Sequence, residues 1–366
     1  MRQVSGWVLW LVVAAVASAG DPGQQPAKES PKTPEMKFPD KVAGKDLDSW
    51  IKSLSDNDPS MVQTAMQALV QFGPAARKAI PELLRFLDTK RDLGVRLGAV
   101  TTIGTLGVEE QQLAEVLKGL NELLDDPQSV VRLQVVQVLA TFGPLAKSAI
   151  PKLVGRQLLG DVTSWEMRQA VVATLGQVGL PEKESAGPDR QAVLALAGAL
   201  RDPALPVRGA ATLALINLGP PKASTDLNEV RRLLADRLAA ERDLSTWLWT
   251  KLCQIRMDQS LLTDQTLATI AKQLESKDGQ ARVTAARILG MLGPEAKSRV
   301  PDLTRALKHD DLNTVAEATL ALGRIGSDAK EAVAALEGLT KHKEEWLQQA
   351  AKMALEQIKA VPKKER

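Results

Sequence analysis

The sequence predicts an all-α fold, a right-handed α-α superhelix (α-solenoid) of about nine helix pairs, on three observations. A ten-residue phrase is written three times, as FGPAARKAIP from Phe72 to Pro81, FGPLAKSAIP from Phe142 to Pro151 and LGPEAKSRVP from Leu292 to Pro301. The glycine of that phrase recurs along the chain at a nearly constant step. Each such glycine closes a helix-length segment whose apolar residues share one face.

The composition suits this class. The chain has no Tyr, four Phe and seven Trp, and its apolar share of 44% is mostly Ala, Leu and Val. Small side chains of this kind pack between helices, whereas a β-sandwich is built from aromatic and β-branched residues. The anchoring glycines are Gly73, Gly107, Gly143, Gly179, Gly219, Gly293 and Gly326. Their steps are 34, 36, 36, 40, 74 and 33, and 74 is two steps of 37 whose middle position, Arg256, has lost its glycine. A period in this range marks a solenoid of helical repeats.

Four residues before each anchor stand Leu69, Ile103, Leu139, Leu175, Leu215, Leu252, Leu289 and Leu322, and the residue directly before it is always apolar. These offsets lie on one helical face and form the core stripe. The anchor then serves as the residue just past a helix, where glycine enters the left-handed region without a Cβ penalty. The Pro of AIP or RVP, at Pro81, Pro151 and Pro301, falls in the first turn of the next helix, where its missing N–H does no harm. The phrase is therefore punctuation: a helix stops, the chain turns, a helix starts. Each unit reads as a first helix, such as Ile80 to Leu87, a turn often containing Asp, and a second helix ending at the anchor. From Leu47 to Ile358 this gives about nine pairs, with no convincing strand between them.

The stretches DDPQSVVRLQVVQVLATFG, Asp125 to Gly143, and DPALPVRGAATLALINLG, Asp202 to Gly219, resemble the HEAT repeat. The short, Ala-rich, Gly-ended form is similar to the bacterial HEAT-like repeats of the phycobilisome-lyase type. The resemblance covers residues 46–360 and implies architecture more than function, since the repeat serves many unrelated tasks. It also implies that the Arg recurring eleven before the anchor, at Arg96, Arg132, Arg168, Arg208 and Arg282, bonds a turn Asp of its own or a neighbouring repeat. A phosphate-binding stripe is the alternative reading of those arginines.

The ends of the chain differ from the repeats. Residues 1–20 carry one positive charge at Arg2, an apolar stretch from Trp7 to Ala17 and small residues at Ala17, Ser18 and Ala19. That is the pattern of a secretory signal peptide, with cleavage expected after Ala19 or Gly20. The apolar run is shorter than the roughly 20 residues a bilayer core needs, so no membrane span is expected in the mature chain. Residues 21–45 are rich in Pro and charge and read as a flexible linker; residues 361–366 are a short basic tail. The expected location is the periplasm, the cell envelope or the extracellular space. Cys253 is the only cysteine, so no intramolecular disulfide can form and stability rests on packing.

Function has to be read from surfaces. The formal net charge of +3 gives no nucleic-acid footprint. Acidic residues cluster in the turns within pairs, and bases follow the anchors at Arg77, Lys147, Lys183, Lys297 and Lys330. This predicts an acidic and a basic edge, or simply charges that suit helix ends. The second helices present a further face nine, six and two residues before each anchor, which the HEAT resemblance places on the concave groove. Its positions include Gln137, Thr141, Gln177, Asn217, Thr250, Gln254 and Thr284, with only Arg287, Glu317 and Arg324 charged. A face this neutral suits a protein partner better than a polyanion. In LSTWLWTKLCQIR, Leu244 to Arg256, Trp249 and Cys253 fall on core columns while Trp247 falls on the groove, where it would anchor a partner or pack on a neighbouring repeat. The candidate partner-binding residues are thus Trp247, Gln137, Thr141, Gln177, Asn217, Gln254, Arg287 and Arg324.

No catalytic, cofactor-binding or metal-binding residues are expected. His309 and His342 lie in turns, read as solvated, and neither is in a His-Glu pair or HExxH spacing. The expectation is an exported, non-enzymatic scaffold that binds a protein. The alternatives are a lyase-like or chaperone factor for attaching a cofactor to another protein, or a self-assembling envelope protein.

Overall fold

The computed structural model describes residues 38–160, 164–183 and 186–360. The expected signal peptide, most of the linker and the basic tail lie outside these residues. Among the described residues, nine helix pairs follow one another. They are α1 (Leu47–Ser53) with α2 (Pro59–Gln71), α3 (Ile80–Leu84) with α4 (Leu93–Leu106), and α5 (Glu110–Leu123) with α6 (Ser129–Phe142). Next come α7 (Ile150–Leu153) and α8 (Arg156–Leu159) with α9 (Trp165–Val178), α10 (Arg190–Ala199) with α11 (Leu205–Leu218), and α12 (Ser224–Ala240) with α13 (Leu244–Met257). The last are α14 (Asp264–Ala271) with α15 (Gly279–Leu292), α16 (Val300–Ala306) with α17 (Leu312–Ile325), and α18 (Val333–Leu339) with α19 (Glu345–Lys359). The only bridge pairing among the described residues joins Val42 to Lys45. The fold is an all-α solenoid of helix pairs, as the periodicity predicts. It divides into two compact units, with the division between Asp226 and Leu227.

The repeated phrase does what its chemistry requires, with one refinement. Gly73, Gly107, Gly143, Gly219, Gly293 and Gly326 all have positive φ, between 52° and 73°. Between the anchor and the next helix the chain forms a 3-10 turn, at Gly73–Ala79, Gly143–Ala149, Gly293–Arg299 and Gly326–Ala332. The helix after the first of them, α3, starts at Ile80 as expected and ends at Leu84 rather than Leu87.

Two anchors depart from the rule for separate physical reasons. Gly179 keeps a helical φ of −75°, so no left-handed turn demands glycine there. A Cβ would instead lie 2.7 Å from the Ala192 Cβ and 2.8 Å from the Leu175 carbonyl oxygen, so close approach demands it. At Arg256 the helix runs on to Met257, and the Arg231 guanidinium donates to the Met257 carbonyl at 2.9 and 3.1 Å. A cation at a helix C-terminus here does the work that the left-handed glycine does elsewhere.

The second helices stack through a fixed register of small residues. A Cβ on Gly104 would lie 2.7 Å from Val138 and one on Gly176 would lie 2.6 Å from Ala214, both seams within the first unit. In the second unit, Gly290 stands 2.9 Å from the Ala321 Cα by the same measure, and Gly323 stands 3.0 Å from the Ala354 Cα. At each seam the residue three before one anchor meets the residue five before the next, so successive second helices run in the same direction. The position five before the anchor is Ala68, Thr102, Val138, Thr174, Ala214, Ile288 and Ala321, all buried. Lys251 alone breaks that column; it is half-buried, and desolvation lowers its pKa below the usual lysine range.

A ladder of ion pairs runs beside this seam. Arg96, Arg168 and Arg282 are buried, and each reaches the turn acid of the following pair. Arg96 Nε lies 2.9 Å from Asp126 Oδ2. Arg168 donates to both Asp202 oxygens at 2.6 and 2.8 Å, and Arg282 donates to Asp311 at 3.0 Å. Arg132 and Arg208 turn back to carbonyls of their own turns, at Asp126 and Pro127 and at Asp202 and Pro203. These arginines are structural, and a phosphate stripe has no free guanidinium row to use.

Residues 38–45, assigned to the linker by composition, close the first pair. Val42 and Lys45 exchange backbone hydrogen bonds of 2.9 and 3.0 Å around Ala43 and Gly44, both at positive φ. The buried Trp50 indole donates to the Val42 carbonyl at 2.9 Å, and the Lys45 ammonium sits 4.5 Å over its ring. The Phe38 ring lies against Gly73, within 2.2 Å of where a Cβ would stand. Elsewhere, the run Ser129–Leu153 is apolar and long enough to cross a membrane by composition. It is broken at Gly143, where φ is 52°, into α6, a 3-10 turn and α7.

Candidate interaction surface

The face nine, six and two residues before the anchors is exposed or half-exposed along most of both units, because the core stripe and the seam occupy the other sides of each second helix. In the first unit, none of the fifteen side chains at these positions on α2, α4, α6, α9 and α11 carries a charge. Gln67, Gln71, Thr101, Thr105, Gln137 and Thr141 are exposed, while Gln177 and Asn217 are half-exposed. Several polar groups are already engaged. The hydroxyls of Thr105 and Thr141 donate to the carbonyls of Thr101 at 2.9 Å and Val138 at 2.7 Å. Asn217 Nδ2 donates across the seam to the Gly176 carbonyl at 2.9 Å, so Asn217 is tied to its neighbour rather than held ready for a partner.

In the second unit the face is different. Thr250 and Thr284 are buried, at 0% and 2% exposure, and so are not available to a partner. Thr250 donates to the Thr246 carbonyl at 2.7 Å. Trp247 is half-buried. Trp249 stands in the column seven before the anchor, buried in every other anchored repeat, yet is itself only half-buried because the indole is too large for that slot. Cys253 is fully buried, and its apolar surroundings push the thiol pKa far above the ordinary value. Gln254 accepts from the Lys251 ammonium at 3.0 Å. Arg287 is committed to Glu317 of the next second helix, through a short ion pair from its Nη2 and a 3.2 Å bond from its Nε. Arg324 is exposed.

The ninth pair adds two residues that the sequence reading missed. It has no glycine anchor, but one step of 33 beyond Gly326 lies Lys359, and Leu355 four before it continues the core stripe. Counted from Lys359, Met353 is six before and Trp346 thirteen before, on the same face. They are 50% and 48% exposed, high for such large apolar side chains. The signal was present in the spacing, hidden by the missing glycine.

Part of the charged edges resolves into helix capping. Asp58, Asp92, Asp243, Asp278 and Asp311 are N-caps, each accepting an N–H of the first turn between 2.7 and 3.1 Å. Arg77 donates from Nε to the Leu106 carbonyl at 2.9 Å, bonding the C-terminus of α4. The histidines are not simply solvated. His309 Nδ1 accepts the Asp311 N–H at 2.9 Å and His342 Nδ1 accepts the Glu344 N–H at 3.1 Å. This is the turn bond that Asp126 makes to Gln128 and Asp202 makes to Ala204 in earlier pairs, at 2.8 Å each. Imidazole thus replaces carboxylate as a turn acceptor. Among the described residues no group of three His, Cys, Asp or Glu side chains is placed to hold a metal ion.

Comparison with known proteins places this arrangement. The chain is similar to a crystal structure of an engineered protein, at 20% identity over 86% of this chain and 89% of that one, with a TM-score of 0.47. It is similar also to the crystal structure of Kap121p bound to Pho4p, at 14% identity and a TM-score of 0.47, and to Kap121p bound to Nup53p, at 13% and 0.45. Each of the latter matches covers 85% of this chain and 37% of Kap121p. A search of curated proteins finds no match. The sequence pattern of HEAT repeats matches residues 47–140 and 267–356, half of the chain, and with the helix pairs and the Arg–Asp ladder in place the protein belongs to the HEAT-repeat family.

Proposed function

We propose that this protein is an exported, non-enzymatic scaffold of the periplasm or cell envelope that binds a protein partner through the groove face of its second helices. The observation that carries the reading is the chemistry of that face: uncharged amides, hydroxyls and apolar groups throughout the first unit, and one mutually neutralised ion pair plus Arg324 in the second. Binding a polyanion requires several phosphate-neutralising cations on one surface. A neutral, partly apolar surface instead matches what protein interfaces present at their centres. The signal-peptide pattern of residues 1–20 and the Pro-rich stretch after it support export. The Ala-rich, Gly-ended repeat supports the bacterial HEAT-like subtype as the finer assignment.

The test is affinity purification of the chain lacking residues 1–20 from the envelope fraction of its own cells, with quantitative mass spectrometry and an absorption spectrum of the eluate. A stoichiometric, colourless protein partner is expected, lost when Gln71 and Gln137 are replaced by Glu. Recovery of a coloured or small-molecule species without a protein would overturn the scaffold reading in favour of cofactor handling. Recovery of the chain alone, assembling with concentration, would overturn it in favour of a structural role.

A further inference from the structure

We infer that the second unit carries a docking site for an amphipathic helical segment of a partner protein, apolar along one side and bearing a carboxylate near one end, centred on Leu320, Arg324, Trp346 and Met353. The inference rests on the scaffold reading and locates its contact. Three features converge on these residues.

The first is exposure. Trp346 and Met353 are 48% and 50% exposed on α19, and Leu320, six before its own anchor on α17, is half-exposed in the same row as Met353. The α17 and α19 helices pack directly, with Gly323 against Ala354. Neighbouring helix axes lie roughly 8–10 Å apart, so Leu320 and Met353 flank one shallow seam. Met and Trp are enriched at binding surfaces because one adapts its shape and the other brings a large rigid area.

The second is charge. Of the charged side chains at the nine, six and two positions of all nine second helices, Arg287 and Glu317 neutralise each other. Arg324 is the remaining one among the described residues, exposed at the end of the seam. Glu356, the nearest acid on α19, lies three before Lys359, about 60–80° round the helix from Met353 and Trp346 at roughly 100° per residue. An uncompensated guanidinium beside apolar side chains calls for a carboxylate on whatever covers them.

The third is length. Trp346 stands thirteen before the anchor position and Arg324 two before its own. Because Gly323 packs against Ala354, Arg324 lies level with Leu355, nine residues beyond Trp346, and at about 1.5 Å per residue the levels of Arg324 and Trp346 differ by roughly 13–14 Å along the parallel helices. That span fits about two and a half turns of a docked helix, with apolar residues at i, i+4 and i+7 and an acid within the turn that follows.

The probe is a dye-labelled synthetic peptide of three to four turns with Leu at those spacings and Glu at the end, compared by fluorescence anisotropy with the same peptide carrying Lys in place of Glu and with a scrambled sequence. The chain from residue 21 onward is expected to prefer the Glu peptide to the Lys peptide at least tenfold. Trp346→Ala and Met353→Ala should each weaken it about tenfold without changing the far-ultraviolet circular dichroism, and Arg324→Glu should invert the preference toward the Lys peptide. Equal binding of the two peptides, or variants that bind as the wild type does, would overturn the site. So would loss of self-association in Trp346→Ala and Met353→Ala with peptide binding unchanged, which would make a second copy the occupant. If the natural partner is recovered with Arg324→Glu and Trp346→Ala but lost with Gln71→Glu and Gln137→Glu, the scaffold reading stands and this site falls.

Discussion

Replacing Asp202 by Asn should destabilise the fourth and fifth helix pairs far more than the loss of one surface ion pair would. Arg168 is only 6% exposed, and its guanidinium meets Asp202 in a two-pronged arrangement at 2.6 and 2.8 Å. The Asp202 carboxylate also accepts the Ala204 N–H at 2.8 Å. An exposed pair contributes about 0–1 kcal/mol, but removing one partner of a buried pair costs about 3–5 kcal/mol because a desolvated charge is left without its counter-ion. Asp202→Asn is therefore expected at the upper scale, and the double variant Arg168→Met, Asp202→Asn should lose much less than the two single changes summed. The pH dependence has a definite sign. Burial pushes the Asp202 carboxyl upward, but the Arg168 hydrogen bonds, the Ala204 N–H and the charges of Arg168 and Arg208 outweigh it and hold the group below the usual carboxylate range. The contribution is present in full above the unfolded value of about 4 and is lost as the pH falls through the lower folded value. Amide exchange across α9 and α11, with urea unfolding at pH 7 and at stepwise lower pH, reads both effects. A loss below about 1 kcal/mol for Asp202→Asn at pH 7, or additive single and double variants, would refute the argument that the rung is a buried, coupled pair.

Three further outcomes are expected. Gly143→Ala should cost about 1–3 kcal/mol from the backbone alone, since φ 52° with ψ −136° is a region that essentially only glycine enters and nothing stands within 4 Å of the new Cβ. Gly73→Ala, with φ of 59° and the Phe38 ring in the way, should cost more and expose residues 38–45 to protease. Equal melting temperatures for the two variants would deny that Phe38 packs there. Lys251→Met should raise the thermal midpoint near neutral pH, because desolvation depresses the lysine pKa and penalises its charged form in the folded state. That gain should shrink as the pH rises through the folded pKa toward the unfolded value near 10.4, and a gain independent of pH between 7 and 10.5 would point to packing instead. Cys253, fully buried and with its thiol pKa pushed up, should react with a maleimide only at the rate at which the second unit opens. Rapid labelling of the native chain would contradict that burial.

Much of this architecture is legible from one recurring glycine, because a helix of fixed length, a left-handed residue and a proline leave the backbone few options. The core stripe was readable from Leu69 to Leu322 for the same reason. Less legible was anything that depends on side-chain size rather than period. Trp249 occupies a core column but overfills it, and Thr250 and Thr284 point toward the groove by spacing yet are covered by neighbours. Gly179 satisfied the pattern for a different reason, close approach to Ala192. The polar residues are the hardest to read from sequence. Asn217 reads as a groove residue open to a partner and instead holds the Gly176 carbonyl of the preceding pair, and Arg77, which reads as either a basic edge or a helix-end charge, proves to be the second, on the Leu106 carbonyl of the next pair. Trp346 and Met353 were overlooked because a search keyed to glycine stops at Gly326.

The segment before α1 has a mechanical meaning. A chain drawn taut at residue 38 does not pull directly on the first helix. Tension would first have to lift the Phe38 ring off Gly73, then shear the two backbone bonds between Val42 and Lys45, and then strip the indole bond of Trp50. These contacts come in series, so each must yield before α1 feels load. A thermal melt is blind to that order, whereas stretching the molecule from its N-terminal side would resolve it as a small early extension preceding the opening of the first repeat.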